Sequence, residues 1–177
     1  GHSGEKEAKL PAGRRPVPVM DSDPLFTAIV SSGVLVEIGE QGVGDYPSEA
    51  CGVLAGDGNR LEAVPFENIQ DQLHAKDPER FPRTSRTAYS MDTLSLERAR
   101  KHLDLKVIYH THVECKAHFS GEDHRGAVSP ETGEPLLPGV DYLVMSIYGH
   151  PPREANLFRY QPDTGRFIRV AGAELTG

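Results

Sequence analysis

The chain has no tryptophan and only two cysteines among its 177 residues. Cys51 and Cys115 cannot build a disulfide framework and neither stands in a C-x-x-C pair, so a reducing compartment is the natural reading, with a single bridge between them left open. Long apolar runs are also lacking. The longest, Gly33 to Val36 and Tyr142 to Ile147, fall far short of the roughly 18 residues that a membrane span needs. Positive charge is in deficit: 19 Lys and Arg face 26 Asp and Glu for a net charge of -7, and no basic cluster marks a surface that tracks phosphates. Neither nucleic acid nor membrane is therefore expected as a partner. Gly1-His2-Ser3-Gly4 shows no charged stretch leading into an apolar one and reads as a cloning scar, not a signal peptide. The expectation is a cytoplasmic protein, monomer or homodimer.

What is present suffices for one core, since a chain of this length buries about two thirds of its unfolded surface without covalent staples. Residues 1–18 are rich in Lys, Arg, Pro and Gly and read as a flexible arm, leaving 19–177 as the folded domain. From Pro24 the apolar residues Leu25, Ile29, Val30 and Val34 recur at helical spacing, with Asp23 as N-cap and Pro24 at the first helical position; this predicts a helix broken or ended near Gly39 to Gly44. Ala50 to Ala55, the turn Gly56-Asp57-Gly58-Asn59 and Leu61 to Phe66 predict a hairpin. Ile69 to Thr87, polar and with two prolines, is expected as a loop, and its Lys76, Arg80, Arg83 and Arg86 as solvated or substrate-facing cations. Met91 to Leu105 predicts a helix capped by Asp92 or Thr93, with Leu94, Leu96, Ala99, His102 and Leu103 as its core face. Further strands are expected at Val107 to Tyr109, Tyr142 to Tyr148, Asn156 to Tyr160 and Phe167 to Val170, and a short helix at Ser120 to Ala127. Strands interleaved with two substantial helices make an α/β domain.

The chemistry gathers around His110-Thr111-His112. In extended backbone the i, i+2 spacing puts both imidazoles on one side of the strand, where they can share an ion. Asp123 follows in Ser120-Gly121-Glu122-Asp123; if Ser120 opens a helical turn, the two lie three apart on one face. Two imidazole nitrogens and a carboxylate leave the fourth tetrahedral position open, as in a catalytic and not a structural zinc site. Glu49, in Pro47-Ser48-Glu49-Ala50-Cys51-Gly52, is a candidate general acid/base, and the Ser120 hydroxyl a candidate donor to an oxyanion. Each residue alone reads blandly: His-x-His as two strand residues, Glu49 as a solvated residue ahead of a strand, Ser120 and Asp123 as an N-cap and a first-turn acid. Cys51 reads as a small buried hydrophobe. Cys115 reads as an inert loop thiol or a metal contact, with Glu114 and His118 as further potential ligands; His118, His124 and His150 read as surface histidines.

Taken together, His110-x-His112, seven residues and Ser120-x-x-Asp123, preceded by Glu49 at a strand start, resemble the signature of the JAMM metalloproteases, also called MPN+ or Mov34 domains. Glu49 to Gly56 is similar to the segment around the family's catalytic glutamate, and Tyr142 to Ile147 to the strand after its metal loop. The resemblance covers about Leu25 to Val170. Two places differ, Val113 and Phe119 standing where many members have proline. The resemblance implies a cytidine-deaminase-like layered domain, a mixed curved sheet flanked by helices. It also implies one Zn2+ per chain on His110, His112 and Asp123, with Glu49 as acid/base and Ser120 as oxyanion support. Its implied reaction is hydrolysis of a peptide or isopeptide bond next to the C-terminal glycine of a ubiquitin-like or sulfur-carrier protein. By analogy, the compact chain sits nearer the stand-alone bacterial members. A catalytically silent scaffold subunit is the alternative, although scaffolding needs neither the ligands nor Glu49. A base deaminase would carry an H-x-E and P-C-x-x-C set, which is absent.

Overall fold

The computed structural model describes residues 22–57, 59–149 and 151–175 together with the backbone of Pro16–Pro18. The elements run β1 (Pro16–Pro18), α1 (Pro24–Ser31), α2 (Val34–Asp45), β2 (Cys51–Asp57), β3 (Arg60–Phe66), α3 (Gln70–Lys76), α4 (Thr93–His102), β4 (Leu105–Val113), α5 (Gly121–Ala127), β5 (Asp141–Ile147), β6 (Pro152–Gln161) and β7 (Arg166–Leu175). The strands form one mixed sheet in the order β1-β7-β6-β5-β4-β2-β3. β4 and β5 run parallel, with α5 in the crossover between them, and the other neighbouring pairs are antiparallel. The fold is α/β, as expected. Among the described residues no helix is long and apolar enough to cross a membrane.

Period-two alternation gives the sheet two buried faces. Leu54, Val107, Tyr109, Leu143, Met145, Ile147 and Leu157 join Phe26, Ile29, Val34, Leu35 and Ile38 of α1 and α2 in one cluster. Val53, Ile108, Tyr142, Val144, Phe158 and Phe167 form the second cluster on the opposite side. His110 and His112, two and four residues after Ile108, belong to the second face. Register fixes their neighbours: His110 stands beside Cys51 on β2 and Val144 on β5, and His112 beside Ser146.

Several expectations are corrected. Pro16–Pro18, placed in the flexible arm, pairs with β7 as an edge strand, and the rest of that arm lies outside the described residues. The first helix divides at Gly33, which adopts φ 78°, and its second half continues through Gly39 and Gly42 to end at Asp45, beside the expected stop at Gly44. Those two glycines are packing positions: a Cβ on Gly39 would stand 3.0 Å from Pro152 Cγ, and one on Gly42 would stand 3.0 Å from both Ile147 Cδ1 and Thr111 Cγ2. The expected loop over Ile69 to Thr87 contains α3. On α4 only Ala99 is buried; Leu94 is 59% exposed, Leu103 39%, and His102 also faces solvent. The hairpin is present as β2 and β3, with Gly58 of its turn outside the described residues.

Candidate metal centre

β4, an interior strand, carries His110 and His112 near its C-terminal end on the second face, and both side chains are buried. Asp123 comes from α5, whose N-terminus is set by a reciprocal capping box. Asp123 N donates to Ser120 Oγ at 3.0 Å, and Ser120 N donates to Asp123 Oδ2 at 3.0 Å. The capping that the sequence offered as a bland role is what aims Asp123 at the histidines. Its Oδ2 lies 3.0 Å from His112 Nε2 and its Oδ1 lies 3.2 Å from His110 Nε2. The ligand atoms of the three residues fall within 4.8 Å of one another.

The donor set fits a cation. His112 Nδ1 stands 3.0 Å from the Lys116 carbonyl, an acceptor only, so Nδ1 carries the proton and donates. In the neutral ring the lone pair is then on Nε2, facing a carboxylate oxygen at 3.0 Å, an arrangement that repels unless a positive charge lies between. His110 has no exposure, and neither of its ring nitrogens has a hydrogen-bond partner. Burial pulls its pKa down, against the opposing pull of Asp123. Burial would push the Asp123 carboxyl up, but the adjacent histidines and the Ser120 N–H outweigh it and hold the group well below the usual carboxylate range. A buried carboxylate and two imidazoles that converge in this way could hold a divalent cation and leave a fourth position open. A residue that the sequence did not flag, Tyr89, stacks on His110 with ring centroids 4.4 Å apart and fixes that ring's plane. Ser146, beside His112 in register, is a buried hydroxyl without a partner that was likewise missed.

Glu49 precedes β2 and is held through its backbone. Its N–H donates to Ser85 O at 2.7 Å, and its carbonyl accepts from Asn68 Nδ2 at 2.9 Å. Next to it, Ala50 N donates to Thr111 Oγ1 at 2.8 Å, tying this segment to the histidine strand. The Glu49 side chain is 4% exposed, and its Oε1 has no hydrogen-bond partner. Burial, reinforced by the Asp123 charge and opposed by Arg83, pushes its pKa up to about 9. Glu49 lines a cavity of about 510 Å³ together with Ser48, Phe66, Asn68, Asp71 and Ser85. Of the basic loop residues, Arg83 reaches back toward the centre, 3.6 Å from Glu122 on α5.

The Ser120 hydroxyl accepts in the capping box and keeps its own proton free to donate. Phe119, at one of the two places that depart from the family pattern, packs against Tyr142, Phe158 and Phe167 with centroids 5.0–5.5 Å away, so an aromatic anchor holds the loop there. Val113, the other, simply extends β4. Both cysteines are free. Cys51 is fully buried and burial pushes its thiol up to about 12, so it packs as a small hydrophobe. Cys115 is half-buried, and burial, with Glu49 and Asp123 adding to it, raises its pKa as well. His118 is exposed, as a surface histidine would be, and its ligand atom lies within 4.8 Å of donors on His112 and Cys115. His124 is half-buried with its ring 6.1 Å from that of Phe167, and His150 lies outside the described residues.

Residues 31–160 match the family model described as prokaryotic homologs of the JAB domain. No curated protein matches the chain in sequence. Among solved structures, the solution structure of protein DSY2949 from Desulfitobacterium hafniense is similar at 23% identity and a TM-score of 0.52, over 76% of this chain and 84% of that one. A solution structure from Salinibacter ruber also shares 23% identity, over 77% and 84%, at a TM-score of 0.49. At this identity the first likeness concerns the fold alone.

Proposed function

The chain belongs to the prokaryotic homologs of the JAB domain, a family with both metallo-isopeptidases and inactive members, and from that premise we propose that it is a zinc-dependent peptidase or isopeptidase. The observation that carries the proposal is a pair of buried groups left under-satisfied: His110, whose Nδ1 has no partner and whose Nε2 meets only the Asp123 carboxylate at 3.2 Å, and Glu49, with Oε1 unsatisfied. A scaffold has no reason to keep either, because each unpaired buried polar group costs about 1–3 kcal/mol of stability. His110, His112 and Asp123 would hold Zn2+. When bound, zinc supplies Lewis acidity toward a carbonyl oxygen and acidifies water in the open position.

The remaining roles fall to the chain's own side chains. Burial alone would keep Glu49 protonated at neutral pH, so its role as acceptor depends on the cation, whose charge favours the ionised carboxylate; Glu49 would then take a proton from water and pass it to the leaving amine. The Ser120 O–H, with its lone pair engaged by the cap, donates to the oxyanion that forms as the carbonyl is attacked. Tyr89 keeps His110 in its ligating plane, and Asn68 and Ser85 keep the Glu49 backbone in place. The substrate class proposed is a ubiquitin-like or sulfur-carrier protein whose C-terminal Gly-Gly tail enters extended. Edge strand β3, whose last residue Phe66 pairs with Cys51 two residues from Glu49, supports entry of such a tail by strand addition.

The test is zinc content together with cleavage of a panel of Gly-Gly-terminated ubiquitin-like and sulfur-carrier fusions. The expected result is one zinc per chain for both wild type and Glu49→Gln, with turnover about a hundredfold or more lower in the variant. Wild type that takes up no zinc, or a Glu49→Gln protein that cleaves as well as wild type, would sink the proposal.

A further inference from the structure

The nitrogen, oxygen and sulfur donors around the centre fall into two sets that meet at one side chain. One is His110, His112 and Asp123; the other is His112, Cys115 and His118, whose ligand atoms also lie within 4.8 Å of one another. Of the second set, His112 is on β4 and Cys115 and His118 sit on the loop between β4 and α5, and that loop is anchored on both sides. Glu114 turns the chain at φ 58°, donates its N–H to Ile147 O at 2.8 Å and accepts from the Tyr46 hydroxyl at 2.6 Å. Beyond Cys115, Ala117 N donates to Glu154 Oε2 and Asn156 Nδ2 donates to Ala117 O, each at 2.9 Å.

The tautomers agree with ligation. His112 Nδ1 and His118 Nδ1 each stand 3.0 Å from the one Lys116 carbonyl, which only accepts. Both protons are therefore on Nδ1 and both lone pairs on Nε2, and the two rings meet edge to face with centroids 4.9 Å apart. A thiol with two imidazole nitrogens favours the softest cations, such as Cd2+ or Cu+, whereas two imidazoles with a carboxylate make a harder seat. The single lone pair on His112 Nε2 can hold only one ion.

We propose that His112, Cys115 and His118 form a second, thiolate-containing cation seat that is an alternative to the first, so that an ion held there withdraws His112 from the hydrolytic centre. The proposal rests on the reading of His110, His112 and Asp123 as a metal seat. It makes the centre sensitive to the softness of the available metal: a thiophilic ion is drawn onto Cys115 and leaves Asp123 and His110 without their shared ligand.

The experiment is ultraviolet titration of the full chain with Cd2+, whose thiolate complexes have a charge-transfer absorption that nitrogen and oxygen ligands lack. Wild type is expected to show that absorption at one equivalent. Cys115→Ser should still bind one equivalent of Cd2+ without the absorption, Asp123→Asn should keep it, and His118→Ala should weaken Cd2+ binding at Cys115 about tenfold or more. Three results would overturn the proposal: no thiolate absorption in wild type, its persistence in Cys115→Ser, or its loss in Asp123→Asn, which would make Cys115 a fourth ligand of the first ion. If Cys115→Ser instead binds no metal at all, the reading of the first seat has failed, and the two failures are thereby told apart.

Discussion

Glu49 is a carboxyl with one oxygen left unsatisfied inside the protein, and its protonation links the site to folding. Its ordinary pKa of 4.5 applies in the unfolded chain, and burial pushes the native value up to about 9. Between those values the native state binds more protons than the unfolded state, so stability falls as pH rises from about 4.5 to about 9, by up to about 1.4 kcal/mol per pH unit. Below that window both states are protonated and the slope vanishes. Urea unfolding of metal-free protein at a series of pH values should show this decline, and Glu49→Gln should flatten it. Parallel pH profiles for the two proteins would mean that Glu49 titrates normally. Zinc loading should also flatten the profile, because a nearby cation favours the ionised carboxylate. At this scale much of the site was legible, since His110, His112, Ser120 and Asp123 owe their convergence to strand and helix-cap spacing, which is local. Tyr89, Asn68 and Ser146 were not, because only long-range packing places them against His110, Glu49 and His112.

α2 shows why glycine misleads when read as a helix breaker. Gly39 and Gly42 sit inside the helix because the sheet comes within contact distance of their α-carbons, and the true break falls at Gly33, where the backbone turns left-handed. The consequence is a pair of opposite signs on one helix. Gly44→Ala meets nothing within 4 Å and should raise stability by about 0.5–1 kcal/mol through helix propensity alone. Gly42→Ala makes the same propensity gain but drives a methyl against Ile147 and against Thr111, whose hydroxyl holds Ala50 N, and should lower stability by about 1–2 kcal/mol. Denaturant midpoints measured side by side decide it, and a Gly42→Ala protein more stable than wild type would refute the packing account. α4 misled in the other direction. Of its apolar residues at helical spacing, Ala99 is buried and Leu96 packs on the second cluster, but Leu94 is exposed, so Leu94→Gln should change stability by no more than about 0.5 kcal/mol. Periodicity states which residues share a face and not whether the protein covers that face. α3 escaped notice because its seven residues are too short and polar for any periodicity to register.

Over the whole molecule, the parallel pairing of β4 with β5 and the burial of both sheet faces could not be read from strand signals, which carry no order. The sheet explains where the centre lies: the second core cluster lines the face that carries His110 and His112, and α5 closes over it between the two parallel strands. α5 is seven residues long, too short to be stable by itself, and its links to the histidines run through Asp123. A cation there would join β4 to α5 and bind only the folded arrangement, so it must stabilise the fold by mass action. At a free concentration of zinc one hundred times its dissociation constant the gain is about 2.7 kcal/mol, which for a domain of this size raises Tm by about 5–10 °C. Calorimetry with and without zinc should show that rise in wild type and in Glu49→Gln, and none in Asp123→Asn. Because Asn keeps the helix-capping oxygen while losing the charge, a zinc-free Tm near that of wild type would assign the lost response to ligation and not to an unravelled α5. A zinc-dependent rise that survived in Asp123→Asn would place the stabilising ion elsewhere in the molecule.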